Sequence, residues 1–323
     1  MGELLEVAKA FVEPCEKLIV AVQNAIGKAY EPRHIKKLAD AKAYEISTIG
    51  QAMRDNSDIP IVYEKGNVAL DTTDFDHFVK RTEARLAYQE LTKQRNIESV
   101  ANQAYLLLEG CSPVEDTPVD IDWLLRFFNS VQDISNVEMQ RLWARTLAKE
   151  VLSPNTVSLR TLAILAQMTV VEARLFESLS KYVLHCKNTP PSLPDDYFIF
   201  SDKAIQEITK LAFPEIFQLD EMGVLSSNSF VRISFEVPPH TTEYISLQDK
   251  KAIEIKNNGD APCNVSHSAY ILTTAGRELL LAISEVPEPH DDLSKYLNLC
   301  KELIIDGEYT SEPLPPEVDV TVI

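Results

Sequence analysis

The side chains with most chemistry to offer are six histidines, five cysteines and several close acids. A zinc site needs four ligands, usually as two close pairs that the fold brings together. His185-Cys186 and Cys263-x-x-x-His267 come nearest to that pattern. Their union would be an accident of tertiary structure, so each is taken as an ordinary structural pair. A nucleophilic cysteine needs a nearby base and a lowered pKa. His185 adjoins Cys186, yet neighbours in sequence on a helix do not face each other. Acids lie close at Asp74/Asp76, Asp120/Asp122, Asp195-Asp196 and Asp291-Asp292. Such pairs do acid–base or metal chemistry when their environments split their pKa values. Here every pair falls at a helix start or in a linker, where capping and the helix dipole already favour acids. Walker A, GxGxxG, GxSxG and HExxH motifs are absent from the chain. The expectation is no catalytic residue, no cofactor and no metal, and hence not an enzyme.

One cationic stretch remains: Lys80, Arg81, Arg85, Lys93 and Arg95, set against Glu83 and Glu90. It is the candidate nucleic-acid contact. The competing reading is a solvated helix face laced with ion pairs, and weak aromatic interleaving favours it. The formal net charge of −18 also disfavours general binding to phosphate backbones or anionic membranes.

The elements that must position these residues are mostly helical. Nine glycines in 323 residues argue against phosphate-binding loops and against an all-β fold dense in tight turns. A chain of this length holds about two domains. The odd, widely spaced cysteines, without a CxxC, fit reduced thiols and a cytoplasmic protein. No stretch nears the ~20 apolar residues of a membrane span, and the acidic start lacks the basic region of a signal peptide.

The boundaries expected are 1–55, amphipathic helices; 56–112, a linker and a long helix; 113–190, a helical core; 191–286, an α+β domain; and 287–323, a helix and an extended tail. Leu4 to Val12 carries an apolar helical stripe, and Pro14 opens a second helix. Leu18, Val22, Ile26 and Ile35 are the candidate self-association interface. Residues 56–72 are expected to be a linker or a small hairpin, with a strand at Pro60–Tyr63 and a turn at Gly66-Asn67, before a helix from about Asp74 to Leu108. Trp123, Phe127, Phe128, Val131, Leu142, Trp143 and Leu147 form the apolar face of the core. Ser135 with Glu138, and Thr169 with Glu172, have the spacing of capping boxes. Strands are expected near Phe230–Val237, Thr242–Leu247, Ala252–Ile255 and Tyr270–Leu272. Val318 to Ile323 has the alternation of an edge strand or a docking segment.

In the 191–286 region the order helix, helix, hairpin strands, helix resembles a winged-helix layout. Leu219-Asp220-Glu221-Met222-Gly223-Val224-Leu225 and Leu272-Thr273-Thr274-Ala275-Gly276-Arg277-Glu278-Leu279 carry that likeness. The recognition-helix candidate, Pro214 to Met222, has Glu215, Asp220 and Glu221 but no Lys or Arg, so protein contact is expected over DNA reading.

A second likeness covers Asp120 to Leu179. Its residues are Asp122-Trp123-Leu124-Leu125-Arg126-Phe127-Phe128, Asp133-Ile134-Ser135, the run Met139 to Glu150, and Ser158-Leu159-Arg160-Thr161-Leu162. With Ile26 to Ile35 and Arg95-Asn96-Ile97-Glu98, they resemble the bacterial family called domain of unknown function 2806. The resemblance implies no activity, cofactor or catalytic residue. A similar Trp-Ala-x-x-Leu-Ala helix occurs in proteins linked to abortive phage infection, which implies a defence role by likeness alone.

The fold expected is mainly α with an α+β C-terminal part: a helical N-terminal region, a helical core and a winged-helix-like domain. The function expected is a non-enzymatic interaction or scaffold component that self-associates, with an unidentified protein partner. The alternative is a nucleic-acid-binding regulator.

Overall fold

A computed structural model describes residues 11–26, 61–64, 67–70, 75–186, 196–226, 232–247, 250–283, 291–307 and 314–323. For 61–64, 67–70, 75–81, 83, 196, 232 and 291 it describes the backbone alone. The chain divides into two compact units, Met1–Pro154 and Asn155–Ile323. The division falls inside the segment expected to be one helical core.

The first unit is helical. Phe11–Val12 (β1) pairs antiparallel with Val114–Glu115 (β4), where a helical stripe was expected. Pro14–Ile26 (α1) follows, opening at proline because the first turn needs no N–H from it. Ile61–Glu64 (β2) and Asn67–Leu70 (β3) form the expected hairpin. Phe75–Leu108 (α2) is a helix of 34 residues, about 50 Å long at the usual rise. Gly110, at φ 80°, turns the chain after it. Ile121–Val131 (α3) is capped by Asp120, whose Oδ1 accepts the Trp123 N–H at 2.8 Å. Val137–Leu152 (α4) is capped by Asn136, which accepts from the amides of Glu138 and Met139. The N-cap is therefore Asn136 in place of the Ser135 expected to form a capping box with Glu138. Ten of the 16 residues of α4 are buried, which makes it the central helix of this unit.

The second unit is α+β. Leu159–Gln167 (α5) and Val170–Ser180 (α6) lead in, and the expected Thr169–Glu172 capping box is present. Leu184–Cys186 (β5), Asp196–Phe200 (β6), Lys203–Thr209 (α7), Phe213–Glu221 (α8) and Leu225–Ser226 (β7) come next. Arg232–Val237 (β8), Thr242–Leu247 (β9), Lys250–Asn257 (β10) and Cys263–Leu272 (β11) follow. Thr274–Ile283 (α9), Asp291–Asp306 (α10) and Val318–Val322 (β12) complete the unit. The strands make one eight-stranded sheet in the order β12-β10-β9-β5-β6-β11-β7, with β8 also on β11. Every pairing in it is antiparallel.

That sheet corrects the expected fold class. Hairpin strands beside a few helices make a winged helix, and an eight-stranded antiparallel sheet does not. β5 and β6 flank a proline-bearing stretch that was expected to be a linker. β12 adds the tail to β10 through five residue pairs, from Ile253↔Val322 to Asn257↔Val318. β11 is ten residues long and alternates buried with part-exposed positions, so it pairs with β6, β7 and β8 in different sections.

Two contacts tie the helices to this sheet. The Thr273 hydroxyl donates to the Gly223 carbonyl at 2.6 Å, and its oxygen accepts the Gly276 N–H at 3.1 Å, so it caps α9 as expected. The Tyr296 hydroxyl of α10 donates to the Tyr182 carbonyl at 2.6 Å from a fully buried position. Beside it, burial pushes the Cys300 thiol well above its ordinary value, and burial likewise raises Tyr296.

Gly276 leaves no room for a side chain, since an added Cβ would lie 1.9 Å from the Val224 carbonyl oxygen. Gly276→Ala is expected to cost about 3 kcal/mol or more, as overpacking against backbone. Gly110→Ala, with open space around it, is expected to cost only about 1 kcal/mol through its left-handed backbone. Denaturant unfolding of both variants checks the order.

Alkaline pH supplies a second test. Cys300 and Tyr296 have ordinary values of 9.0 and 10.0. As pH rises past these, the unfolded chain loses protons that the folded chain keeps, so stability falls. The loss should begin above pH ~9 and shrink in Tyr296→Phe, monitored as the unfolding free energy against pH.

Candidate interaction surface

The candidate residues of the first unit are held by an aromatic centre. Trp123 stacks on Phe127 at 5.1 Å between ring centroids. Phe127 meets Phe128 and Trp143 edge-on, each at 5.2 Å. Trp123 and Phe127 sit at i and i+4, and Trp143 projects from α4 into the same cluster. The Trp143 indole N–H is buried without a hydrogen-bond acceptor among the described residues. Burying that donor costs free energy, which the packing of so large a ring must exceed.

A polar network clamps α2 to α4. The Asn96 amide donates to the Gln132 carbonyl at 2.9 Å and the Ser135 hydroxyl at 3.1 Å. The Gln140 amide donates to the Ile134 carbonyl at 2.8 Å, and Ser99 donates to Gln140 Oε1 at 2.8 Å. Asn96 and Gln140 are both buried, so an unmet amide here is expensive. Lys17 fastens α1 by donating to the Glu115 carbonyl at 3.1 Å. Burial lowers its pKa, against the opposing pull of Asp116, Glu150 and Glu115.

This framework decides which faces stay open. Leu18 and Val22 are buried inside the unit, and Ile26 is half-buried. Ile35 lies outside the described residues. The open side of α1 carries Ile19 and Val20, about half exposed. Sequence reasoning missed this because Leu18 to Val22 is an unbroken apolar run, so the helix has apolar residues on both sides.

Among the described side chains of α2, the first fully buried one is Asn96. Between Ala84 and Arg95 no residue is fully buried. Tyr88 and Leu91 are 69% and 58% exposed. Ala84, Tyr88, Leu91 and Arg95 are all exposed and recur at spacings of four, three and four, the spacing of a coiled-coil seam. That spacing was the available signal. Of the basic candidates, Arg85 and Arg95 are exposed, while Lys93 lies 3.5 Å from Glu90. Lys80 and Arg81 lie on α2, described by backbone alone.

The chemistry-bearing pairs stay apart. His185 and Cys186 lie on β5, while Cys263 and His267 lie on β11, with β6 between. Register sets His185 opposite Tyr197, one step beyond Phe198↔Ile271. His267 is then about five residues, or ~17 Å, along the sheet from His185. His185 stacks on Tyr197 at 4.3 Å, and His267 meets Phe200 edge-on at 5.0 Å. Among the described residues no group of three or more His, Cys, Asp or Glu could hold a metal ion. Asp120 caps α3, and Asp292 lies 3.7 Å from Lys295. Asp76, Asp196 and Asp291 are described by backbone alone, and Asp74 and Asp195 lie outside the described residues. A cleft in the second unit is lined by Ile164, Met168, Glu172 and Met222, with Glu172 already used in its capping box. No described helix is long and apolar enough to cross a membrane.

These features define a two-unit protein, helical and then α+β, whose open features are apolar helix faces. Residues 80–296 match the family described as Protein of unknown function (DUF2806), and the chain belongs to that family. No curated protein and no solved structure matches the chain. The Trp-Ala-x-x-Leu-Ala residues, Trp143, Ala144, Leu147 and Ala148, are all buried core positions.

The clamp makes a quantitative prediction. Asn96→Ala and Gln140→Ala should each cost about 1–3 kcal/mol. Because they share one network, the double variant should fall short of their sum by about 0.5 kcal/mol or more. A double-mutant cycle from urea unfolding measures the coupling.

Proposed function

We propose that the chain is a non-enzymatic interaction or scaffold component that self-associates through its helical unit. The observation that carries this is the exposed seam Ala84, Tyr88, Leu91 and Arg95, on a helix whose first fully buried residue among those described is Asn96. A helix in water gains most of its stability by packing an apolar face. A second copy of the same helix supplies such a face at the same spacing. Ile19 and Val20 on α1 extend the apolar surface open to a partner.

Five free thiols support a reducing, cytoplasmic setting. A place in anti-phage defence rests on the Trp143-to-Ala148 likeness. Because that face is core, the likeness concerns scaffold and assigns no chemistry.

Light scattering coupled to size exclusion tests the assignment, with absorbance read at protein and nucleic-acid wavelengths. The wild type should exceed the single-chain mass of 36.3 kDa. Tyr88→Glu with Leu91→Glu should return it to that mass while helical circular dichroism is kept. A wild-type monomer, or an assembly unmoved by the folded double variant, contradicts the reading. Nucleic acid that co-elutes and is removed by salt would favour the regulator alternative through Arg85 and Arg95.

A further inference from the structure

The geometry points to Cys15 and Cys111 as a dithiol pair that closes to an intramolecular disulfide on meeting a low-molecular-weight disulfide such as oxidised glutathione. Three placements carry this. First, the β1–β4 register sets Phe11 against Glu115 and Val12 against Val114. Continued residue by residue, it sets Glu13 against Pro113, Pro14 against Ser112 and Cys15 against Cys111. The strand ladder ends before the cysteines, but both chains leave it from adjacent positions, three residues on either side.

Second, the two sulfurs are both anchored on carbonyls of the last turn of α2. The Cys15 thiol donates to the Tyr105 carbonyl at 3.8 Å. The Cys111 thiol donates to the Leu107 carbonyl at 3.5 Å. Gly110 adopts a left-handed φ of 80°, and the Cys111 N–H donates to the Leu108 carbonyl at 3.1 Å. That turn folds Cys111 back against the last turn of α2, where Cys15 already sits. Burial raises the Cys15 pKa, and the charges of Glu109, Cys111 and Glu13 raise it further, so Cys111 is close enough for its charge to be felt.

Third, access separates this pair from the rest. Cys15 and Cys111 are partly exposed, whereas Cys186, Cys263 and Cys300 are buried. A small disulfide therefore reaches the two cysteines whose chains leave the β1–β4 ladder from facing positions.

The exchange balances without a further reagent. One thiolate attacks a sulfur of oxidised glutathione, forming a mixed disulfide and releasing one glutathione thiolate. The second protein thiol loses its proton to solvent and attacks the protein sulfur of that mixed disulfide. It forms the Cys15–Cys111 bond and expels the second glutathione. Two protein thiols are oxidised and one glutathione disulfide is reduced to two thiols. The bond ties the start of α1 to the end of α2 and shortens the freedom of the unfolded chain between them.

The test incubates the full-length protein with oxidised glutathione, blocks remaining thiols by alkylation, and maps peptides without reduction. The expected product joins the Cys15 and Cys111 peptides within one chain. Cys186, Cys263 and Cys300 should be alkylated only after denaturation. Oxidation should raise the thermal midpoint, and dithiothreitol should reverse the rise. Cys15→Ser and Cys111→Ser should each keep a stable glutathione adduct on the remaining cysteine, because no resolving thiol is left. A persistent adduct in the wild type, or linkage between two chains in place of the internal bond, would overturn the proposal. So would unreacted thiols at both positions.

Discussion

Burial of one helix face governs the first unit. Val137–Leu152 places Trp143, Ala144, Leu147 and Val151 in a core with no exposure above a few per cent. Around it pack α1, α2 and α3, each offering residues at helical spacing: Leu18 and Val22, Ile97 and Val100, Trp123 and Phe127. The hydrophobic term is non-directional, so it holds these helices together without fixing their register. The Asn96–Gln140–Ser99 hydrogen bonds supply that direction, because a buried amide left unmet would cost more than a slip could recover. The outcome is a helix, α2, with buried residues from Asn96 onward and without a fully buried residue from Ala84 to Arg95.

The second unit solves a different problem. Its strands are short, and an isolated short hairpin is marginal in water. Eight strands from across some 140 residues are needed before the sheet covers itself, and the last of them comes from the tail. The buried Asn257 shows how the corner is held: its side chain donates to the carbonyls of Val237 and Ala261, linking β10 to the paired strands β8 and β11. The histidines are not brought together, since His185 and His267 each pack against a ring in separate strands.

The helices were legible because their signals are local. Pro14, Asp120, Thr169 and Thr273 each mark a helix start by chemistry that acts within four residues. The Asp74-to-Leu108 helix and the hairpin before it were found for the same reason. Strands β8, β9, β10 and the end of β11 were legible too, but the eight-stranded sheet was not, because β5 is three residues long and β7 two, too few for a period of two to show. Pairing partners such as Ile253 and Val322 lie far apart in sequence, and neither announces the other. The interface residues failed in a more specific way. Leu18 and Ile19 are equally apolar, and only the position of α4 decides which is inside. The pairing of Cys15 with Cys111 was hidden likewise, since wide spacing says nothing about a register set by β1 and β4.

The central claim is that the open seam of α2 pairs with another copy. Hydrogen–deuterium exchange at the amides of Ala84 to Arg95, followed over a wide range of protein concentration, addresses it most directly. Those amides should be protected at high concentration and exchange faster on dilution, while the amides of Ile97 to Leu108 stay slow throughout. Exchange at Ala84 to Arg95 that is the same at every concentration at which the protein stays folded would contradict the account.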